Sequence, residues 1–311
     1  MRIAMLGAGA MGSVIGGHLA LTDNDVVLIN IDPEFVEAVN KSGLILETGN
    51  AEHIVKVLAV TETQHLEPFD LVIVLVKSFH TQAAIESAIN LVGENTMVMS
   101  LQNGLGQESL LSEVVGREHV IAGKTYVGGM MLTPGKVKAG VADKETIIGE
   151  IDGQLTPRIK EVERIFNDAG LKTVATDNIM GAMWDKLLIN VAAGALSAIT
   201  GLNFGNLYDI PSIKQTGVEA VAEAMRVASA LGVTLSLADP EEAWVKASAG
   251  LPFDFKPSVL QSIENGMTTE IDFINGFVVS QGKAVGIPTP VNATLVACLK
   301  GVERGLNPKK A

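Results

Sequence analysis

The hexapeptide Gly7-Ala8-Gly9-Ala10-Met11-Gly12 constrains this chain more than any other stretch. An apolar run, Ile3-Ala4-Met5-Leu6, precedes it and predicts a buried parallel strand. Ala10 to Leu21 predicts a helix. G-x-G-x-x-G between a strand and a helix is the fingerprint of a dinucleotide-binding turn. Gly7 permits the tight turn, Gly9 lets backbone N–H groups approach a pyrophosphate, and Gly12 lets the helix pack on the strand. The helix N-terminus then faces the negative charge. A second strand-like run, Val26-Val27-Leu28-Ile29, follows, and Asp32 stands 20 residues beyond Gly12, where the acid for the adenosine ribose is expected. The plainer alternative is a glycine turn with no ligand; the strand, helix and acid in sequence count against it.

Asp32 also bears on which dinucleotide fits. A carboxylate accepts hydrogen bonds from a ribose 2′-OH and repels a 2′-phosphate. Asn30-Ile31-Asp32-Pro33 offers no Arg or Lys to hold that phosphate, so NAD is favoured over NADP. Asp before Pro is equally a good N-cap for a helix beginning at Pro33, and the two roles are compatible.

The first half alternates strand and helix. After a helix near Glu34–Ser42, two stretches, Leu44–Glu47 and Ile54–Ala59, predict a hairpin-like excursion. The run Asp70–Val76 predicts a central strand ending in Lys77-Ser78. A helix over Thr81–Leu91 follows, then a strand over Met97–Ser100 ending in Gln102-Asn103-Gly104-Leu105-Gly106. Ligands of open α/β sheets sit at the carboxyl ends of strands, so these exits and the glycine turn predict one cofactor cleft. Residues Val120–Gly149 predict an antiparallel extension of the sheet, and a helix near Pro157–Ala169 and a strand near Thr173–Ala175 close the domain. From Asp177 onward the pattern predicts only helices: Asn178–Ile199, Ile213–Leu231, Pro240–Ala249, Pro257–Glu264, Thr269–Val285 and Val291–Gly301, with a frayed tail at Gly305–Ala311. The expected fold is α/β: an N-terminal Rossmann-type, doubly wound sheet with an antiparallel extension over 1–176, and an all-helical domain over 177–311.

A chain of 311 residues suffices for two such domains. The net charge of −12 argues against nucleic acid or an anionic membrane as partner, though not against an anionic substrate. The single cysteine, Cys298, leaves no intramolecular disulfide and suggests a reduced, cytoplasmic setting. No charged leader precedes the first strand, and no apolar run reaches the ~18 residues of a membrane span. The five histidines, His18, His53, His65, His80 and His119, show no metal-ligand spacing, so no metal is expected.

None of them lies in the second half either, which leaves lysine as the proton donor of suitable type there. In Trp184-Asp185-Lys186-Leu187-Leu188-Ile189-Asn190, Lys186 and Asn190 share a helix face, and Gly194 continues that line. The helix is otherwise apolar nearly all round, which implies burial. Either Lys186 faces a cleft and protonates a forming alkoxide, or it snorkels to solvent while Asn190 bonds a neighbouring backbone. On a helix, Glu270 would share a face with Ile274, Phe277 and Val278, so it would need a cation or a ligand hydroxyl; capping duty is the plainer role. Ser258, after Pro257, could hold a carboxylate with helix N-terminal N–H groups or be an ordinary first-turn serine.

Over nearly its whole length the chain resembles the ketopantoate reductase family, which joins a Rossmann domain to an all-helical one. The match runs through Gly7–Gly12, Lys77-Ser78, Gln102–Gly106, Trp184 with Lys186-Leu187 and Asn190, and Thr269-Glu270-Ile271-Asp272 leading to Ile274-Asn275-Gly276. The resemblance implies a catalytic acid at Lys186 and Asn103 near both the nicotinamide and Lys186. It implies substrate contacts at Asn190 and Ser258, and at Glu270 a group that orients Lys186 or binds a substrate hydroxyl. It also makes a homodimer plausible, which the apolar C-terminal helices allow. Two departures stand out. The family generally uses NADPH, with an Arg where this chain has Asn30-Ile31-Asp32, and usually has Asn where this chain has Gly194. Both changes suit the family's NAD-dependent D-2-hydroxyacid dehydrogenases of the D-mandelate type. The expectation is hydride transfer between NADH and C2 of a 2-oxo acid with a branched or aromatic side chain, with the nicotinamide in an interdomain cleft and Gly194 lining the substrate pocket. The rival enzyme is an NADPH-dependent 2-dehydropantoate 2-reductase. The rival of another class is a dinucleotide-binding sensor without chemistry.

Overall fold

The computed structural model describes residues 1–49 and 51–306. The chain divides into two units, one of Met1–Gln102 with Gln107–Ile179, the other of Asn103–Gly106 with the residues from Met180 onward. The first unit runs β1 (Arg2–Leu6), α1 (Ala10–Ala20), β2 (Asp25–Ile29), α2 (Pro33–Ser42), β3 (Leu44–Thr48), β4 (Ala51–Val55), β5 (Leu58–Val60), β6 (Leu71–Val74), α3 (Thr81–Ser87), β7 (Met97–Ser100), α4 (Gln107–Val115), β8 (Val120–Thr125), β9 (Gly128–Thr133), β10 (Lys136–Gly140), β11 (Thr146–Glu150), α5 (Pro157–Asp168) and β12 (Thr173–Ala175).

Eight strands form the main sheet in the order β12-β11-β8-β7-β6-β1-β2-β5. The run from β5 to β8 is parallel; β11 joins β8 antiparallel, and β12 pairs parallel with β11. The strands are buried on both faces, and the period-2 alternation sorts their side chains into two cores. Ile3, Met5, Leu71 and Ile73 pack with α1 and α5 through Ile15, Leu19, Val162 and Phe166. Ala4, Leu6, Val72 and Val74 pack with α3 and α4 through Ile85 and Leu111. That is the doubly wound arrangement expected from the sequence.

Two strand expectations need correction. Of the stretch Ile54–Ala59, only its start belongs to a hairpin, in which β3 and β4 pair antiparallel; β5 leaves to pair with β2. The β-rich stretch after Val120 does not all extend the main sheet. β9 and β10 join β3 and β4 in a separate sheet of order β4-β3-β10-β9. This second sheet covers α1. Leu44 and Leu46 of β3 lie against Gly17, while Leu28 and Met5 of the main sheet lie against Gly16. With sheets on both sides, α1 is buried from Gly12 through Leu19, and its apolar residues need no polar face.

The second unit contains α6 (Ile179–Thr200, apart from Ile179), α7 (Phe204–Tyr208), α8 (Pro211–Ala230), α9 (Pro240–Ser248), α10 (Ser258–Glu264), α11 (Asn275–Val285) and α12 (Pro290–Leu306). α8 packs against α9, α11 and α12. Contrary to the expectation that no stretch qualifies, α6 is long and apolar enough to cross a membrane, with a mean hydropathy of 1.3, but 72% of that window is buried inside the fold. The helix expected over Thr81–Leu91 stops at Ser87 and gives way to a 3-10 turn at Ile89–Leu91. α4 and α7 were not foreseen. α12 continues through Gly305 and Leu306, and the rest of the tail expected to fray lies outside the described residues.

Candidate functional site

In the first unit, β1 delivers the chain into Gly7 at φ +103. A Cβ there would lie 2.5 Å from Val76 N and 2.8 Å from Val76 Cγ1. Gly7 N and Ala8 N both donate to Ile29 O, at 3.1 and 2.9 Å, which ties the turn to the end of β2. A Cβ at Gly12 would collide with the Gly7 carbonyl. Packing therefore requires glycine at 7 and 12. Gly9 is different: it is exposed, and a Cβ there would meet no heavy atom within 4 Å. Gly9 is also the N-cap of α1, and no side chain caps that helix. Open space over uncapped first-turn N–H groups fits a pyrophosphate. Ala8 is buried and Ala10 and Met11 are half-buried around this turn.

Asn30 connects the turn to the candidate ribose acid. Its Nδ2 donates to Ala8 O at 2.8 Å, and its Oδ1 accepts the Asp32 N–H at 2.9 Å. Asp32 caps α2: its Oδ1 accepts the Glu34 N–H at 3.0 Å, and the residue stays exposed. Lys77 is exposed at the exit of β6. Gln102 locks the exits of β6 and β7 together, its Nε2 donating to Val76 O at 2.7 Å and Thr81 Oγ1 at 2.8 Å. Sequence reasoning assigned no role to Asn30. Its signal was a short amide in the β2 exit, a residue type that bonds local backbone. His18 lies behind the turn on α1, with Nδ1 3.1 Å from Ala169 O. Burial holds its imidazole below the usual histidine range, and its buried Nε2 meets no partner among the described residues.

In the second unit, α6 places Lys186, Asn190 and Gly194 at successive turns. Lys186 and Asn190 are half-buried and Gly194 is buried. Lys186 Nζ donates to Asn103 Oδ1 at 2.8 Å, so Lys186 does not simply snorkel away from the fold. Asn103 arrives on the four-residue segment after β7 that groups with the helices. Asp185, missed in the sequence, is pinned by the α8–α9 connection: Ser236 Oγ donates to its Oδ2 at 2.6 Å and Ser236 N to its Oδ1 at 3.1 Å. A Cβ on Gly194 would stand 3.6 Å from Val259 Cγ2, which places the start of α10 beside this line. Ser258, the first residue of α10, is exposed.

Glu270 requires a correction. No helix spans Thr269–Val285. A 3-10 turn at Ile271–Phe273 is followed by Ile274 at φ −110, ψ −97, and α11 begins at Asn275. Glu270 precedes that turn, half-buried, rather than sharing a helix face with Phe277. The apolar spacing of Ile271, Ile274, Phe277 and Val278 continues across the break, which is why it read as one helix.

A lysine ammonium placed beside a forming alkoxide can pass its proton to it. The chain is similar to known proteins over nearly its whole length. The family model described as Ketopantoate reductase PanE/ApbA matches residues 3–153, and Ketopantoate reductase PanE/ApbA C terminal matches residues 178–303. A 2-dehydropantoate 2-reductase of Pyrococcus horikoshii is 36% identical over 97% of this chain and 98% of its own. One from Halobacterium salinarum is 31% identical over 98% and 99%. Among solved structures, a PanE/ApbA family ketopantoate reductase from Ralstonia eutropha aligns at TM-score 0.89 and 34% identity over 98% of this chain and 99% of its own. A D-mandelate dehydrogenase with NADH and anilino(oxo)acetate aligns at TM-score 0.90 and 26% identity over 99% and 100%.

The expectation of a D-2-hydroxyacid dehydrogenase of the D-mandelate type is overturned by these relatives, since full-length matches at 28–36% identity are 2-dehydropantoate 2-reductases. That expectation rested on two positions. Asp32 has a helix to cap, and a Cβ on Gly194 would meet only Val259, at an ordinary contact distance of 3.6 Å.

Proposed function

Because this chain belongs to the ketopantoate reductase family of nicotinamide-dependent oxidoreductases, we propose that it reduces the C2 ketone of 2-dehydropantoate, and that it does so with NADH in preference to NADPH. The observation that carries the chemistry is the 2.8 Å bond from Lys186 Nζ to Asn103 Oδ1. The substrate follows from the full-length similarity to the P. horikoshii enzyme.

Residues 1–176 form the dinucleotide-binding domain in this reading. The Gly7–Gly12 backbone holds the pyrophosphate, Asp32 takes the ribose hydroxyls while capping α2, and Lys77 supplies a cation at the β6 exit. When bound, the dinucleotide supplies a hydride to the ketone carbon. Residues 177–311 form the substrate domain. Lys186 hydrogen-bonds the ketone oxygen and passes its Nζ proton to the alkoxide as charge develops. Asn103 fixes the ammonium. Asn190, Ser258 and the wall at Gly194 hold the rest of the acid, and Glu270 orients Lys186 or takes a substrate hydroxyl. The lone cysteine is consistent with a reduced, cytoplasmic setting.

Initial rates with NADH and NADPH, each against 2-dehydropantoate, benzoylformate and 2-ketoisocaproate, test this. The expected result is the highest kcat/KM for 2-dehydropantoate with NADH. A preference for benzoylformate would overturn the substrate, and a preference for NADPH would reduce Asp32 to a helix cap.

A further inference from the structure

The break before α11 has a use beyond ending a helix. In an uninterrupted helix the Phe273 carbonyl would accept the N–H four residues on. Here Ile274 turns the chain, and the Phe273 carbonyl instead accepts the Leu105 N–H at 3.0 Å. The approach leaves room only for glycine at position 104. Gly104 sits at φ +85, and a Cβ on it would lie 2.8 Å from Phe273 Cβ and 2.9 Å from the Phe273 carbonyl carbon. Gly106, at φ +100, would bring a Cβ to 3.4 Å from the Phe277 ring. That ring lies 5.8 Å from the buried indole of Trp184, two residues before Lys186 on α6. The residue before Gly104 is Asn103, the acceptor of the Lys186 proton bond.

We propose that Gly104 and the Phe273 carbonyl form a latch that sets Asn103 against Lys186. Gly104 is a positioning residue: it touches no reacting group and acts on Lys186 through Asn103. A side chain at 104 pushes the segment off the Phe273 carbonyl, breaks the Leu105 bond and withdraws the amide oxygen from Nζ. The kinetic side of this inference rests on Lys186 as the proton donor in the function proposed above; the positional side does not.

The test is a double-mutant cycle of Gly104→Ala and Asn103→Ala, read in two ways. The first is the initial rate of Lys186 acetylation by acetic anhydride, followed by peptide mass spectrometry, with no substrate or cofactor present. An ammonium that loses an acceptor labels faster, so each single variant is expected to label several-fold faster than the native chain. The double variant is expected to label no faster than either single one, because contacts in series are not additive. The second readout is kcat against KM for 2-dehydropantoate, where Gly104→Ala is expected to lower kcat by about a hundredfold, the order a misplacement of about 1 Å can cause. In the Asn103→Ala background it should have no further effect. Native labelling in Gly104→Ala, or singles whose effects multiply in the double variant, would overturn the latch. If Gly104→Ala does not fold, Phe277→Leu, which loosens the ring under Gly106, is expected to speed labelling by a smaller factor; unchanged labelling there is equally fatal. If the labelling cycle behaves as expected but 2-dehydropantoate is not turned over, the latch stands and the functional reading falls.

Discussion

The glycine turn and the Lys186–Asn103 pair are built by opposite means. The turn is made of backbone from one short stretch of chain, although Gly7 also answers to Val76 just past β6, while Gly12 answers to Gly7 O within the turn. The pair joins side chains 83 residues apart and exists only because α6 and a segment after β7 are brought together. The glycines of the turn can thus be read from one short stretch, whereas the pair must be assembled from distant parts of the chain.

Replacing the lysine separates the two regions most sharply. Lys186→Ala is expected to lower kcat by about two to four orders of magnitude, the range for a lost general acid, in steady-state kinetics with saturating 2-dehydropantoate. Turnover near the native rate would remove Lys186 from the chemistry.

Gly12→Ala attacks the other region. Its Cβ collides with the Gly7 carbonyl, and overpacking of this kind costs about 1–3 kcal/mol. Urea denaturation is expected to show that loss, and fluorescence titration a weaker affinity for NADH. Unchanged binding would mean that the turn adjusts without disturbing its ligand.

Asp32→Asn sharpens the comparison within the turn. Asn retains the cap on Glu34 N but loses the charge. Stability should hold within about 0.5 kcal/mol. The ratio of kcat/KM for NADH to that for NADPH should fall by about tenfold, equivalent to about 1.4 kcal/mol. An unmoved ratio would leave capping as the residue's whole role.

The smallest effect concerns pH. The His18 imidazole is held below its ordinary value of 6.5, chiefly by burial. The unfolded chain therefore takes up a proton at this site more readily than the native one, and stability falls as pH drops below about 6.5. Thermal melts from pH 8 to 5 are expected to slope downward there, and His18→Gln to flatten the slope.

Much of the first region was legible in the sequence because its signals are short-range. Asp32-Pro33 gave a cap and a helix start, and continuous apolar runs gave strands buried on both faces. What failed to read was pairing at long range. Nothing within β9 or β3 says that they share a sheet with β10, because strand periodicity fixes which side chains share a face and not which strand lies alongside. Lys186 was visible as a polar residue on an apolar helix, whereas Asn103 beside it came only from the family resemblance, since no local pattern links residues 83 apart. Ile274 was invisible because helical spacing of apolar residues continues through the break; there a carbonyl contact across the chain overrides local pattern.

The burial of α1 between two sheets has a bearing on motion. A helix with one face in water can fray or unwind while its neighbours stay folded, and its amides exchange hydrogen through such local openings. From Gly12 to Leu19, α1 has no such face, so opening it means parting both sheets from it. Amide exchange in that stretch is then tied to unfolding of the whole domain.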